Sequence, residues 1–176
     1  MKILLLKSLL AVFCVSLVVA TAYAEVRNTF LTSKGKVLII LSSQAQLGNS
    51  QIKTGVWLPD ATHPYFGLLS AGYEVEFASP LGGAVPIEAK SDPRNINAMF
   101  ADDALTRGFL SDEAAAEKLN NTKKLADVQT KDYSAMIIAG GMAAMYDFPD
   151  NVDLKRIVRE FWEQNKVISA IHYGTK

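Results

Sequence analysis

The sequence predicts an α/β fold in which a parallel sheet carries helices on both faces, a three-layer sandwich. Three observations predict it. Four short apolar runs, at 36–41, 73–78, 134–139 and 167–171, are spaced along the chain with helical segments between them. Strands alternating with helices argue for a parallel sheet. The first run is followed by a long polar loop and the last by a small turn ending in Gly174, as expected at the carboxyl ends of strands in such sheets.

Each element has its own signal. Lys36 to Leu41 is β-branched and apolar throughout, which suits a central strand buried on both faces. Gln44 to Thr54 is the polar loop after it. Pro64 to Gly72 predicts a helix, with Pro64 in its first turn and Gly72 as its C-terminal cap. Tyr73 to Ala78 alternates and predicts a second strand. Pro80 to Pro93 is a Gly- and Pro-rich loop, and residues 97–107 and 111–120 read as helices, the second starting at Ser111. Ser134 to Ala139 predicts a third strand, closed by Gly140-Gly141. Asp150 is placed to cap a helix over 152–164, in which Leu154, Ile157, Val158, Phe161 and Trp162 share one face. Val167 to Ile171 predicts the fourth strand, with His172 at the carboxyl end of a central strand. There is no internal repeat and no low-complexity segment.

The N-terminus has the order of an address. Lys2 and Lys7 give a positive start, Ile3 to Ala20 is almost wholly apolar, and Ala22-Tyr23-Ala24 is a small-x-small step. That predicts a secretory signal peptide over 1–24, cleaved after Ala24, with export to the periplasm or medium. An uncleaved membrane anchor is the alternative. Phe13 before Cys14 argues against lipid attachment. Residues 25–34 are a polar lead-in, and 35–176 form the folded domain.

Cleavage would leave 152 of the 176 residues, enough for one core. It would remove Lys2 and Lys7 from 18 basic residues and none of the 18 acidic ones, giving a net charge near −2. Such a balance gives no footprint for nucleic acid or, after cleavage, for a membrane surface. The one Cys, Cys14, leaves with the signal, so the mature chain has neither disulfide nor thiol nucleophile. His63 and His172 without Cys make no zinc set, so no metal and no cofactor is expected. Met136, Met142 and Met145 read as core filler rather than a copper site.

Four segments together resemble the PfpI/DJ superfamily, the class I glutamine amidotransferase-like group, nearest to its chaperone-like glyoxalase and deglycase branch. They are Lys53-Thr54-Gly55-Val56-Trp57-Leu58 with His63-Pro64-Tyr65; Ala71 to Val75 with Ala78-Ser79-Pro80 and Gly82-Gly83; Tyr133 to Gly141 with Met145-Tyr146-Asp147 and Pro149-Asp150; and Val167 to Gly174. The match covers nearly all of residues 35–174 in order. The resemblance implies a flavodoxin-like sheet with a nucleophile elbow. It also implies further strands and helices past the elbow, so the domain is expected to be incomplete at its C-terminus.

The resemblance places the family's elbow Cys on His172 and the His after it on Tyr173. The acid that hydrogen-bonds the thiol falls on Asp60, or on Pro59 one place earlier. Gly140 and Gly141 keep the first half of the Gly-Gly-His-Gly turn, while Met142 and Ala143 replace the rest. An imidazole forms no thiohemiacetal, but can act as a base near neutral pH. Asp60 can pair with His172 or cap its helix. Tyr173 can donate a hydrogen bond or pack, and Gly140-Gly141 can cradle an anion or simply turn the chain. His63 reads as structural, and Gly174 closes the elbow.

Three readings follow. One is an exported domain that has lost Cys-dependent chemistry and serves as a binding or chaperone-like module, or is vestigial. Another is an enzyme on small carbonyl compounds with a site rebuilt around His172, Asp60 and Tyr173. The last is a fragment whose remaining elements come from elsewhere. The expected ligand is a small carbonyl or anionic compound, and an unpaired sheet edge would favour a homodimer.

Overall fold

The computed structural model describes residues 33–175. The signal-peptide expectation, and residues 25–32 of the lead-in, lie outside them. Five parallel strands form one sheet in the order β3-β2-β1-β4-β5. β1 (Lys36–Ile40) pairs with β2 (Glu74–Ser79) from Lys36↔Glu74 to Ile40↔Ala78, and with β4 (Ala135–Ile138) from Val37↔Ala135 to Ile40↔Ile138. A two-residue strand, β3 (Lys123–Lys124), extends the β2 side and has no signal of its own in the sequence. β5 (Val167–Ala170) pairs with β4 from Ala135↔Val167 to Ile138↔Ala170.

Side chains alternate across β1, and each set has its own core. Leu38 and Ile40 pack with Met136, Leu154, Ile157 and Phe161 on one face. Ile39 and Leu41 pack with Leu58, Ala61, Tyr65, Phe77 and Phe109 on the other. This two-sided burial is what the continuous apolar run predicts.

The helix α1 (Leu58–Ser70) starts six residues before Pro64. Pro59 fills the first-turn role assigned to Pro64. Trp57, the N-cap, supplies no side-chain cap, and the buried Ser91 hydroxyl instead accepts from Leu58 N–H at 3.0 Å. Pro64 therefore stands inside the helix. Gly72, at φ +88°, ends it as expected.

Residues 97–103 are turns rather than helix. Asp92 and Asn95 bond backbone N–H groups two residues on, a local alternative to helix. Asp103 then caps α2 (Ala104–Ser111), and Asp112, not Ser111, caps α3 (Glu113–Asn120). After the short α4 (Ala144–Asp147), α5 (Val152–Glu163) is capped by Asn151, whose Oδ1 accepts from Leu154 N–H at 2.8 Å, rather than by Asp150. Leu154, Ile157 and Phe161 face the core, but Trp162 is 77% exposed, beside the buried stripe.

The central placement of the fourth predicted strand is corrected. β5 is the edge strand among the described residues, and its burial alternates, with Val167 and Ser169 exposed. β2, β1 and β4 take the inner positions, each flanked by a strand on both sides. Among the described residues no helix is long and apolar enough to cross a membrane.

Candidate functional site

α1 follows β1 onto one face and α5 follows β4 onto the other. The carboxyl ends of β1 and β4 thus flank the crevice where open α/β sheets bind ligands. β5 delivers its turn beside this crevice. His172 has φ +48°, a left-handed conformation unusual for a residue with a Cβ. It is the raised position of an elbow, and the surrounding backbone holds it there. Ile171 N–H donates to Ile138 C=O at 3.0 Å and Gly174 N–H to Ile171 C=O at 2.9 Å. The Thr175 hydroxyl donates to His172 C=O at 2.8 Å.

Two glycines make this approach possible. A Cβ on Gly140 would overlap Ile171 O and lie 2.6 Å from the His172 Cβ. A Cβ on Gly174 would lie 2.5 Å from Ile138 O. Gly141, at φ +97°, turns the chain back against Trp57.

Asp60, in the first turn of α1, is 6% exposed and its Oδ2 lies 2.9 Å from His172 Nδ1. Burial pushes the Asp60 carboxyl above the usual carboxylate range. The facing His172, the Gly140 N–H donating to it and the charge of His63 pull it back only in part. An ionised Asp60 accepts from Nδ1–H, which leaves Nε2 as the acceptor of a neutral imidazole. The His172 side chain is 59% exposed, so that ring is open to solvent while its partner is not.

The structure brings His172, Asp60 and Gly140 together. Pro59, the other candidate for the acid position, has no group to offer there. Tyr173 is partly exposed, and among the described residues its hydroxyl makes no hydrogen bond. His63 lies inside α1 and its Nε2 meets Asp103 Oδ2 at 2.8 Å. Met136 is buried, whereas Met142 and Met145 are exposed and fill no core. No group of potential metal ligands assembles among the described residues.

Two supporting residues were not given these roles by the sequence reading. Ser91 ties its loop to the start of α1, in a long loop with no local signal. Asp147 accepts from the Ser42 hydroxyl at 2.8 Å and from Ser43 N–H at 2.7 Å, clasping the exit of β1 to α4. Burial pushes its carboxyl upward. Its only sequence signal is an acid closing the Met145-Tyr146-Asp147 segment.

The model of the DJ-1/PfpI family matches residues 52–176. The chain belongs to the DJ-1/PfpI family. It is 33% identical over 122 residues to the glutathione-independent glyoxalase hsp3102 of Schizosaccharomyces pombe, covering 69% of this chain and 49% of that protein. It is 29% identical over 140 residues to glyoxalase 3 of Candida albicans, covering 79% and 58%. Among solved structures, the 24 kDa Rapid Encystment Protein of Francisella tularensis superposes with a TM-score of 0.70 at 34% identity, covering 80% of this chain and 59% of that one. Glyoxalase III of Candida albicans gives 0.64 at 28% identity, covering 80% and 57%. The DJ-1/PfpI chain described here thus spans 49% to 59% of the length of these relatives.

Proposed function

We propose that this DJ-1/PfpI domain has lost thiol chemistry and keeps the elbow as a binding site for a small carbonyl or carboxylate compound. The observation that carries this is the 2.9 Å His172–Asp60 pair, in place of a thiol, on an elbow whose left-handed backbone is intact. The only Cys, Cys14, lies in the apolar N-terminal segment, so no thiol can add to an aldehyde in the domain. Relatives named as glyoxalases support a carbonyl compound as ligand. The mature domain would be exported after cleavage following Ala24, and would act as a binding or chaperone-like module, or be vestigial.

A second reading has its own support. Asp60 orients the imidazole so that Nε2 can take a proton from water or a substrate hydroxyl, the work of a general base. The site would then be an enzyme centre rebuilt around His172, Asp60 and Tyr173.

One experiment separates the readings. The mature chain is incubated with methylglyoxal, and both loss of aldehyde and the His172 ring resonances are followed. Binding without turnover, seen as saturable ring shifts, is the expected result. Turnover that disappears in His172→Ala would replace it with the general-base reading. Neither shift nor turnover, with this compound or with acetate, would overturn both. N-terminal sequencing of exported protein should begin at Glu25; Met1 on membrane-bound protein would support an anchor.

A further inference from the structure

The loop after β1 folds back on itself. Leu47 N–H donates to Ile52 C=O and Thr54 N–H to Ala45 C=O, each at 3.0 Å, and Gly48, at φ +56°, lies in the turn between the two arms. The second arm runs on to Val56, which pairs with the loop after β2. Val56 N–H donates to Pro86 C=O at 2.8 Å, and Glu88 N–H to Val56 C=O at 3.0 Å. Leu81 N–H, donating to the Ser43 hydroxyl oxygen at 3.1 Å, ties the same two loops together. The two loops enclose a cavity of about 590 Å³, the size of a small-molecule site. Every residue that lines it falls between Ser43 and Ile87. Neither the elbow nor α5 contributes to its wall, and β4 separates β1 from the edge strand β5.

Two groups in that wall are unspent. Thr54 is 3% exposed, and its hydroxyl has no hydrogen-bonding partner. A buried polar atom left in that state opposes folding and calls for a reason, such as a partner that arrives with a ligand. Lys53, next to it, is exposed, and among the described residues its ammonium meets no carboxylate. No acidic residue lines the cavity. Asp147, which touches Ser43, spends one carboxylate oxygen on the Ser42 hydroxyl and the other on Ser43 N–H. Pro86 and Ile87 supply an apolar wall.

We propose that this cavity binds a small monocarboxylate with a short apolar tail. The Lys53 ammonium meets the carboxylate charge, and the Thr54 hydroxyl donates to one of its oxygens. Pro86 and Ile87 cover the tail. One ammonium balances one carboxylate, whereas a phosphate group carries close to two charges and would leave the second unmet. None of His172, Asp60 and Gly140 lines the cavity, so the site stands whether or not a ligand binds at the elbow.

The test titrates the full chain with butyrate and with butyramide, which has the same shape without the charge. The methyl resonances of Thr54 and Ile87 and the ring resonances of His172 are followed together. Butyrate should shift both methyls saturably and bind at least about tenfold more tightly than butyramide. Lys53→Gln should lower the butyrate affinity by about tenfold or more. Thr54→Val keeps the shape and removes the donor, and should lower it at least about fivefold without lowering the melting temperature. His172→Ala should leave the affinity read at Ile87 unchanged. If Thr54→Val melts lower, the comparison of the two compounds on the unmodified chain and the exposed Lys53→Gln still decide. No saturable methyl shift, equal affinity for the two compounds, or an unchanged affinity in Lys53→Gln would overturn the proposal. So would shifts confined to the His172 ring or lost in His172→Ala, because butyrate would then act through the elbow. Inorganic phosphate binding more tightly than butyrate in the same assay would overturn the choice of a carboxylate.

Discussion

Gly140 and His172 are pressed together so closely that a Cβ on Gly140 would stand 2.6 Å from the Cβ of His172 and overlap the Ile171 carbonyl oxygen. That contact ties the turn after β4 to the elbow after β5. It also fixes the elbow backbone from which His172 Nδ1 meets Asp60 Oδ2 at 2.9 Å.

Gly140→Ala should therefore do two things at once. Forcing a methyl group against backbone costs roughly 1–3 kcal/mol, read as a lower midpoint in urea with an unchanged slope. It should also separate His172 from Asp60, seen as altered His172 ring shifts before any unfolding. Stability loss with unchanged ring shifts would mean that the elbow does not rest on this glycine.

Asp60 and Asp147 give a pH dependence with a definite sign. Burial raises both carboxyls in the folded protein, so the folded state holds their protons to higher pH than the unfolded chain does. Their contribution to stability is full below the unfolded value of about 4 and is lost as pH rises through the folded values. His172→Ala removes the charge and hydrogen bond that draw Asp60 down, so its carboxyl should titrate at still higher pH. Carbon NMR of the Asp60 carboxyl measures this directly. A downward move would show that the pair does not stabilise the charged form.

The Thr54 hydroxyl is buried and has no hydrogen-bonding partner, alone among the buried side-chain polar atoms of the described residues. An unsatisfied buried hydroxyl opposes folding, and replacing it by an apolar group of the same shape removes that cost. Thr54→Val should be neutral or raise stability by about 1 kcal/mol, read by thermal and urea melting. A loss of similar size would show that the hydroxyl is satisfied in solution.

The sequence reading located the strands well because their signal is local: β-branched runs such as Val37 to Ile40 admit few other roles. It misplaced what depends on contacts across the chain. The start of α1 is set by Ser91, 33 residues away, so no local cap marked it. Whether β5 lies inside the sheet or at its edge depends on which strands pair with it, and that information is not in Val167 to Ile171. The site divides the same way. His172 was legible from the strand-to-glycine turn, and Asp60 as its partner only through the family resemblance. The close approach of Gly140 to His172 joins two turns in a way that no spacing rule encodes.

Restoring the family pair at the elbow, as His172→Cys with Tyr173→His, tests whether the scaffold alone carries the chemistry. The expected outcome is little methylglyoxal turnover, for reasons that lie around the nucleophile. A thiolate needs neighbouring donors and a base to be activated. Here the exposed Met142 stands where the resemblance places a His. Turnover and the ultraviolet absorbance of the thiolate would be measured together across pH. A thiolate formed near neutral pH with no turnover would locate the defect in the surroundings of the elbow. Turnover approaching that of a glyoxalase relative measured alongside would show that the nucleophile alone is missing.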